Sequence, residues 1–240
     1  MKIKSGELIK IADNLTGEFQ SQISVASDKS KLAYKNWRRN RVIDSVGIPS
    51  KPSSLNSKVI DFNAIYSPEN QTYYSVSNRS GAFEIWQHKP AMSQQITQLK
   101  ANSLGRPLLS PDNKQLAFLN KSNNDIQLLV LDLTSQQING SYNLPSNAHI
   151  LYWSPTMDSI YLSVRNQGQY TLSKLTITSN TLTKLVINAG VFVEESSTGD
   201  EFIYADMSNG PLMRQNSLSE TQSIVCHLYK SDAADDKQGG

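Results

Sequence analysis

The chain has a single cysteine, Cys226, among 240 residues, which excludes a framework of internal disulfide bonds. Charged residues are also scarce, at 18% of the sequence, and the formal net charge is +2 at pH 7. Such a balanced composition supports neither a nucleic-acid surface nor a strongly acidic partner. One cysteine is compatible with the cytosol and with a secreted or periplasmic protein, so cysteine usage does not decide the compartment.

Long apolar runs are missing as well. No stretch approaches the roughly 18 apolar residues that a membrane-spanning helix needs, and residues 1–8 lack the apolar core of an export signal. The last residues are polar and end in two glycines, which predicts a disordered tail at residues 230–240. We therefore expect no membrane span in this segment.

No stretch shows a helical period of apolar residues, and what recurs instead is a turn. Its clearest copies are residues 67–70 (Ser-Pro-Glu-Asn) and 110–113 (Ser-Pro-Asp-Asn). Weaker copies begin at Ala26, Ser154 and Ser196, so the repeat length is about 42 residues. Proline presets the first turn angle, and the Asp, Asn or Gly that follows stabilises the turn or tolerates a positive φ. We therefore interpret the motif residues as structural.

Short runs of β-branched and aromatic residues separate these turns, about four runs to a unit. Residues 115–119 and 126–131, for example, flank a polar turn as in a β-hairpin. The tetrapeptide Ser-Gln-Gln-Ile, at residues 93–96 and 135–138, supports the same period. One such sheet cannot cover its own apolar faces, whereas sheets stacked around an axis bury each other. The pattern predicts an all-β protein, a β-propeller of about five four-stranded blades in a complete or incomplete ring.

The phase of the repeat predicts the domain boundaries. Residues 1–18 match the closing strand of a preceding or shared blade, and propeller blades follow over residues 19–229. The predicted units lie near residues 19–62, 63–105, 106–147, 148–189 and 190–229. In one interpretation the N-terminal strand completes the last blade and closes a small ring. In the other, which we favour, the chain is part of a longer propeller with unpaired sheet edges, because the fifth unit already has a closing run.

Three motifs within residues 67–86 carry a family resemblance: Ser-Pro-Glu-Asn, Asn-Arg-Ser-Gly and Phe-Glu-Ile-Trp, in that order. This order is similar to the TolB-type propeller repeat. The resemblance covers roughly residues 3–228 and is strongest in the second and third units, whereas the first unit lacks the proline. Because the shared residues build turns, they imply an architecture and no catalytic role.

The resemblance implies a non-catalytic binding or sensory module that recognises a protein or a small ligand on a propeller face or in its funnel. The irregular repeats, rich in Ser, Asn and Gln, resemble those of the periplasmic sensory propeller of CadC-like winged-helix transcriptional regulators. It implies a periplasmic fragment of a membrane-anchored regulator, without direct nucleic-acid contact by this segment. Two alternatives stay open, the accessory propeller of a prolyl-oligopeptidase-like serine peptidase and a TolB-like envelope scaffold.

Residues that could carry chemistry are few and scattered. His88, His149 and His227 occupy different units without metal-ligand spacing, and each is expected to be a surface or strand histidine. Cys226 and His227 are adjacent in a predicted strand, so we expect them to point to opposite faces and to form no catalytic dyad. No nucleophile elbow or phosphate-binding glycine loop occurs. We expect no catalytic, cofactor-binding or metal-ligating residue, no cofactor and no enzyme activity in this chain.

One basic and aromatic cluster, residues 37–41 (Trp-Arg-Arg-Asn-Arg), could contact an anionic partner. Its place in the repeat instead predicts a turn between the second and third strands of the first unit. Aromatic residues at repeat-equivalent positions are predicted to pack in the core: Tyr66, Tyr74, Phe118, Trp153 and Tyr161. We expect Trp86 to pack there as well.

Overall fold

The computed structural model describes residues 60–90, 92–122, 125–207, 210–217 and 222–227, and the backbone of residues 18–25 and 32–37. Every regular element in these ranges is a β-strand, which confirms the all-β prediction. No helix that could cross a membrane occurs in them. Residues 1–17 of the predicted closing strand and the predicted tail at 230–240 lie outside the described residues. The division of the chain into predicted blades stays a prediction.

The strands form five antiparallel sheets, numbered here in chain order. Sheet one pairs β1 (Glu18–Val25) with β2 (Leu32–Trp37). Sheet two contains β3 (Asp61–Ser67), β4 (Thr72–Ser77), β5 (Glu84–Lys89) and β6 (Met92–Gln95), each hydrogen-bonded to the next.

The remaining three sheets follow the same meander. Sheet three contains β7 (Ser103–Leu104), β8 (Leu108–Leu109), β9 (Gln115–Lys121), β10 (Ile126–Asp132) and β11 (Gln137–Leu144). Sheet four contains β12 (Ala148–Trp153), β13 (Ser159–Asn166), β14 (Gln169–Thr176) and β15 (Thr181–Ile187). Sheet five contains β16 (Ala189–Glu195), β17 (Glu201–Asp206), β18 (Pro211–Asn216) and β19 (Gln222–His227).

The first strands of sheets two to five contact one another in succession. Strand β3 contacts β8, β8 contacts β12, and β12 contacts β16. Each meander then runs outward from this inner row, so that the last strands, such as β6 and β11, form outer edges. The sheets are therefore stacked side by side around a common inner region.

The serine-led repeat forms the turn between the first and second strands of each of these four sheets. The amide of Asn113 donates to the carbonyl of Ser110 at 2.9 Å, and Asn113 has a φ of 57°. Met157 and Gly199 occupy the same place with φ of 64° and 78°. The backbone hydrogen bond repeats whether the residue is Asn, Met or Gly, so the motif acts as a turn, as predicted.

Sheet three shows an interruption that the repeat did not predict. Its first strand is divided into β7 and β8, which both pair with β9. Pro107 lies between them, and a proline has no N–H to donate to a strand ladder. The amide of Gly105 still donates to the carbonyl of Leu119 at 2.8 Å, which holds the segment against β9.

Three apolar clusters fill the spaces between neighbouring sheets, because successive strand residues point to opposite faces. In β9, Leu116 and Phe118 pack toward sheet two, whereas Ala117 and Leu119 pack toward sheet four. Across the next space, Leu172 and Tyr161 of sheet four pack with Phe202 of sheet five. The middle sheets are buried on both faces and therefore have almost continuous apolar runs.

Four of the six aromatic residues predicted in the core are buried there, whereas Tyr66 and Trp86 are half-buried. Tyr74, Phe118, Trp153 and Tyr161 are all at most 4% exposed. Tyr66 is only half-buried, and its ring lies 4.7 Å from that of Tyr73 between centroids. These side chains therefore hold adjacent sheets together.

The two Ser-Gln-Gln-Ile copies occupy different places in their hairpins. Ser93 lies within β6, whereas Ser135 lies in the turn before β11. In the second copy the Asp132 carboxylate accepts hydrogen bonds from the Thr134 and Ser135 amides, at 3.0 and 2.7 Å, which lengthens the turn. The hairpin of the first copy is shorter and has Pro90 near its tip. Identical tetrapeptides are thus offset because the preceding turn residues differ.

Candidate binding grooves

The larger of two candidate sites in the described residues is a groove of about 480 Å³ between sheets two and three, which we call the amide groove. It lies where β6 ends and β11 begins, so both Ser-Gln-Gln-Ile copies contribute to it. None of its ten lining residues is charged: Gln95, Ile96, Thr97, Gln98, Leu99, Leu131, Ser135, Gln136, Gln137 and Ile138. The volume lies within the range of small-ligand pockets, about 300–1,000 Å³.

Three glutamine side chains of the amide groove are open to a ligand. Gln98, Gln136 and Gln137 make no side-chain hydrogen bond within the described part of the chain. By contrast, Gln95 donates to the Thr97 carbonyl at 2.6 Å, and the Ser135 hydroxyl donates to Asp132 at 2.9 Å. Each free amide carries two donors and an accepting oxygen, so the groove can both donate to and accept from an uncharged polar ligand.

A buried carboxylate fixes the wall of the amide groove. Glu84 on β5 is 2% exposed and accepts from the Thr97 hydroxyl at 2.5 Å. It also accepts from the amides of Leu99 at 2.9 Å and of Lys100 at 2.7 Å. The Thr97 hydroxyl in turn accepts from the Ile85 amide at 2.9 Å. These bonds hold residues 97–100, including Gln98, in one conformation.

A second groove, of about 340 Å³, lies on the face of sheet four that packs toward sheet three. We call it the lysine groove, after Lys184. Residues 145–147, which connect β11 to β12, form one wall. Seven further residues line it: Val164, Arg165, Asn166, Thr171, Ser173, Leu182 and Lys184.

A buried polar network lies in sheet two. His88 is fully buried, with Nε2 at 2.8 Å from the Ser75 hydroxyl and Nδ1 at 2.7 Å from the Ser93 hydroxyl. Burial lowers the pKa of His88 to about 4, and the Arg79 guanidinium contributes to the same direction. His88 is therefore a strand histidine, one of the two expected places, and it is buried. Its neutral ring contacts the buried Ser75 hydroxyl and the half-buried Ser93 hydroxyl.

Arg79, from the predicted Asn-Arg-Ser-Gly turn, joins this region to the first strand of sheet two. Its guanidinium donates to both carboxylate oxygens of Asp61 at 2.9 Å. The same guanidinium lies 4.7 Å from the ring centroid of Trp86. Trp86 is thus half-buried, and its ring packs against this cation.

Another polar cluster connects sheets four and five around the buried Glu195 carboxylate. Glu195 accepts hydrogen bonds from the Ser154 hydroxyl, from the Tyr161 hydroxyl at 2.8 Å and from the Lys174 ammonium at 2.9 Å. Burial, reinforced by the Glu195 carboxylate, raises the pKa of the Tyr161 phenol well above its usual value. Tyr161 therefore stays a neutral hydrogen-bond donor, and the cluster ties the two sheets together.

The other singled-out residues do not converge on these sites. His149 is exposed on β12, where burial and then the Lys121 charge lower its pKa. Cys226 and His227 lie in β19, with side chains outside the described part. Trp37 ends β2, and the rest of its basic cluster lies outside the described residues. No group of three metal-ligating side chains occurs in the described ranges.

Several solved structures are similar to this chain in fold. TolB from Acinetobacter baumannii is 17% identical over 71% of this chain and 44% of its own length, with a TM-score of 0.51. The β-propeller domain of the Trilobed protease from Pyrococcus furiosus, with an open velcro topology, is 14% identical over 71% of this chain and 58% of that chain, with a TM-score of 0.52. The fold is a β-propeller.

An oligogalacturonate lyase in complex with manganese is also similar in fold, with 14% identity over 90% of this chain and 68% of that chain and a TM-score of 0.55. No protein-family model matches the chain, and no curated protein matches it in sequence. This chain thus spans less than half the length of the TolB structure that it resembles. At such low identities the likeness shows the propeller fold alone.

The sequence analysis predicts neither groove. The repeated Ser-Gln-Gln-Ile supports the period of the repeat, and its glutamines also mark residues that line the amide groove. Lys184 had no comparable signal, because a lone lysine in a polar strand is ordinary. Grooves between sheets depend on how the outer strands diverge, and periodicity does not report that geometry.

Proposed function

We propose that this propeller is a non-catalytic binding module whose amide groove recognises an extended, uncharged polar segment of a protein partner. The observation that carries the proposal is the set of three free glutamine amides in a groove without charged lining residues. Peptide groups present alternating donors and acceptors, which glutamine amides match in both directions.

The position of the groove supports an extended ligand. It reaches the free outer edges of β6 and β11, the last strands of their sheets. Exposed strand edges offer unpaired main-chain groups to an added strand, and neighbouring pockets then select side chains. Ile96, Leu99 and Leu131 supply apolar contact beside the amides. A segment rich in Ser, Thr, Asn and Gln with an occasional aliphatic residue fits this lining.

The larger protein that contains such a module is proposed here on resemblance. We propose a periplasmic sensory role within a membrane-anchored, CadC-like transcriptional regulator, although none of the solved structures named above supports that link. The likeness to the Trilobed protease domain favours a second candidate, the accessory propeller of a serine peptidase. A TolB-like envelope scaffold is the third. Flanking coding sequence discriminates them: a winged helix and one membrane span indicate the regulator, and a nucleophile elbow indicates the peptidase.

Fluorescence anisotropy with labelled octapeptides tests the amide groove. One peptide set contains uncharged Ser, Thr, Asn, Gln and Leu, and a matched set replaces two polar residues by Lys or by Asp. We expect the uncharged set to bind most tightly. The double variant Gln98→Ala/Gln137→Ala should weaken that binding by about tenfold, because two hydrogen bonds are lost. Gln136 is left unchanged so that the turn residue with a φ of 56° is not altered.

The matched control is Gln169→Ala, which removes an exposed glutamine from sheet four, outside the groove. This variant should bind the peptides as the parent protein does. The proposal is overturned if charged peptides bind as tightly as uncharged ones, or if the double variant retains the parent affinity.

A further inference from the structure

We propose that the lysine groove is a separate binding site for a small organic anion, one carboxylate or phosphate group attached to a short apolar body. The groove lies between sheets three and four and shares no lining residue with the amide groove. It therefore adds a small-molecule site to the proposed protein-binding function, and each site is tested independently.

The charge of the groove favours an anion. Lys184 and Arg165 both line it, and no carboxylate is among its lining residues. Lys184 is exposed and forms no ion pair or side-chain hydrogen bond within the described part of the chain. The Arg165 guanidinium lies 5.3 Å from the Tyr170 ring centroid, on the face of sheet four that packs toward sheet five. Lys184 therefore supplies the positive charge of the groove, and within the described residues it has no counter-charge.

The opposite face of the same sheet contains a lysine that is paired with a carboxylate. Lys174 is the neighbour of Ser173 on β14, and its ammonium is paired with the buried Glu195 carboxylate at 2.9 Å. Lys184 is placed across from Ser173 in the β14–β15 ladder and has no such partner. Among the described residues, Lys174 is thus neutralised by a carboxylate, whereas Lys184 is not.

Hydroxyl and amide donors surround the cation. Ser173 is only 2% exposed, and its hydroxyl forms no hydrogen bond among the described residues. Because Ser173 also lines the groove, its hydroxyl is available to a ligand there. Thr171 lies two residues away on the same face, and Asn147 and Asn166 line the rim. A carboxylate or phosphate bound beside Lys184 would accept hydrogen bonds from several of these groups.

The remaining lining fits a short apolar body. Pro145, Val164 and Leu182 line the groove together with the polar residues. Its volume of about 340 Å³ is at the small end of ligand pockets, which span about 300–1,000 Å³. A ligand with an anionic group and a chain of a few carbons therefore suits both the charge and the size.

Isothermal titration calorimetry with four six-carbon probes tests the inference: hexanoate, hexyl phosphate, hexanol and hexylamine. We expect hexanoate or hexyl phosphate to bind at least about fivefold more tightly than hexanol, and hexylamine to bind least, since the ion pair is charge-assisted. The stronger of the two anions identifies the headgroup. Amide shifts in ¹H–¹⁵N spectra should include those of Thr171, Ser173 and Lys184.

Variants separate the ion pair from simple apolar binding. Lys184→Met should reduce anion affinity by about fivefold and leave hexanol unchanged, whereas Lys184→Arg should retain anion binding. Lys114→Met, at an exposed lysine in a distant turn, is the matched control and should have no effect. The inference fails if hexanol binds as tightly as both anions, or if Lys184→Met binds them as the parent protein does. The Gln98→Ala/Gln137→Ala variant should bind hexanoate normally, so failure at one groove does not affect the other.

Discussion

At the scale of single residues, this propeller places several titratable groups in its interior and satisfies them locally. His88 contacts the Ser75 and Ser93 hydroxyls, and Tyr161 donates to Glu195. Such contacts keep the histidine neutral and the phenol protonated, because the charged form of each would be buried. A dependence of stability on pH follows for the histidine.

The pKa of His88 falls from 6.5 in the unfolded chain to about 4 in the folded protein. Above pH 6.5 His88 is neutral in both states, so its contribution to stability is complete. As the pH falls from 6.5 toward 4, the unfolded chain binds a proton that the folded protein does not, and stability is lost. The expected loss between about pH 7.5 and about pH 4.5 is on the order of 2 kcal/mol.

Urea unfolding at the two pH values measures this loss, with His88→Gln as the variant that retains hydrogen bonding without titrating. The parent protein should lose more stability on acidification than His88→Gln does. His149→Gln, at the exposed histidine of β12 whose pKa is also lowered, should reduce the loss on acidification by less than His88→Gln does. An equal loss in the parent protein and in His88→Gln would show that His88 does not titrate as described.

At the scale of strands and turns, the repeat predicted what local chemistry determines. The turn at residues 110–113 was predictable because proline and asparagine favour its backbone angles. The aromatic positions were predictable because strand alternation places them between sheets. The burial of His88 was not, since its partners Ser75 and Ser93 lie on two other strands of the sheet and sequence spacing does not reveal them. The geometry of the two grooves was unpredictable for the same reason, although the repeated glutamines were a sequence signal for residues of the amide groove.

The loop that borders the amide groove depends on one carboxylate. Glu84→Ala should leave the Thr97 hydroxyl and the Leu99 and Lys100 amides without their acceptor. Hydrogen bonds to charged groups contribute about 1.5–3 kcal/mol each, so amide exchange at Leu99 and Lys100 should accelerate by about tenfold or more. Hydrogen-exchange spectroscopy measures these two amides directly.

The matched variant is Glu69→Ala, at an exposed glutamate in the turn between β3 and β4. It should leave exchange at Leu99 and Lys100 unchanged. Parent-like exchange of both amides in Glu84→Ala would mean that the carboxylate does not hold the loop.

At the scale of the whole molecule, the described parts of sheets two to five pack against their neighbours in succession. The three apolar clusters lie between sheets two and three, three and four, and four and five. Proteins built in this way have stabilities that sum the units and the interfaces between neighbours. Polar contacts between neighbouring sheets, such as those of Glu195, therefore contribute to the stability of the assembly as a whole.

Glu195→Ala should destabilise the protein strongly. The change removes the acceptor of Ser154, Tyr161 and Lys174 together, and breaking a buried pair costs about 3–5 kcal/mol. Because the Lys174 side chain is 25% exposed, we expect the lower end of that range, about 3 kcal/mol. Urea denaturation provides the measurement.

The neighbouring Glu194 is exposed and supplies the matched control. Glu194→Ala should change the free energy of unfolding by less than about 0.5 kcal/mol. If the two variants are equally stable, Glu195 does not connect the sheets energetically.

The turn serines Ser67 and Ser154 each form a side-chain hydrogen bond to the following sheet, and their acceptors differ. Ser67 donates to Asn113 of the following unit at 3.1 Å, whereas Ser154 donates to Glu195, which precedes the turn of its following unit. Serines at equivalent positions in sheets two and four thus donate to different acceptors in the sheet that follows each. If units two and four exchanged places by recombination, each serine would meet a neighbour without the matching acceptor. These two contacts therefore favour the present order of sheets two and four along the chain.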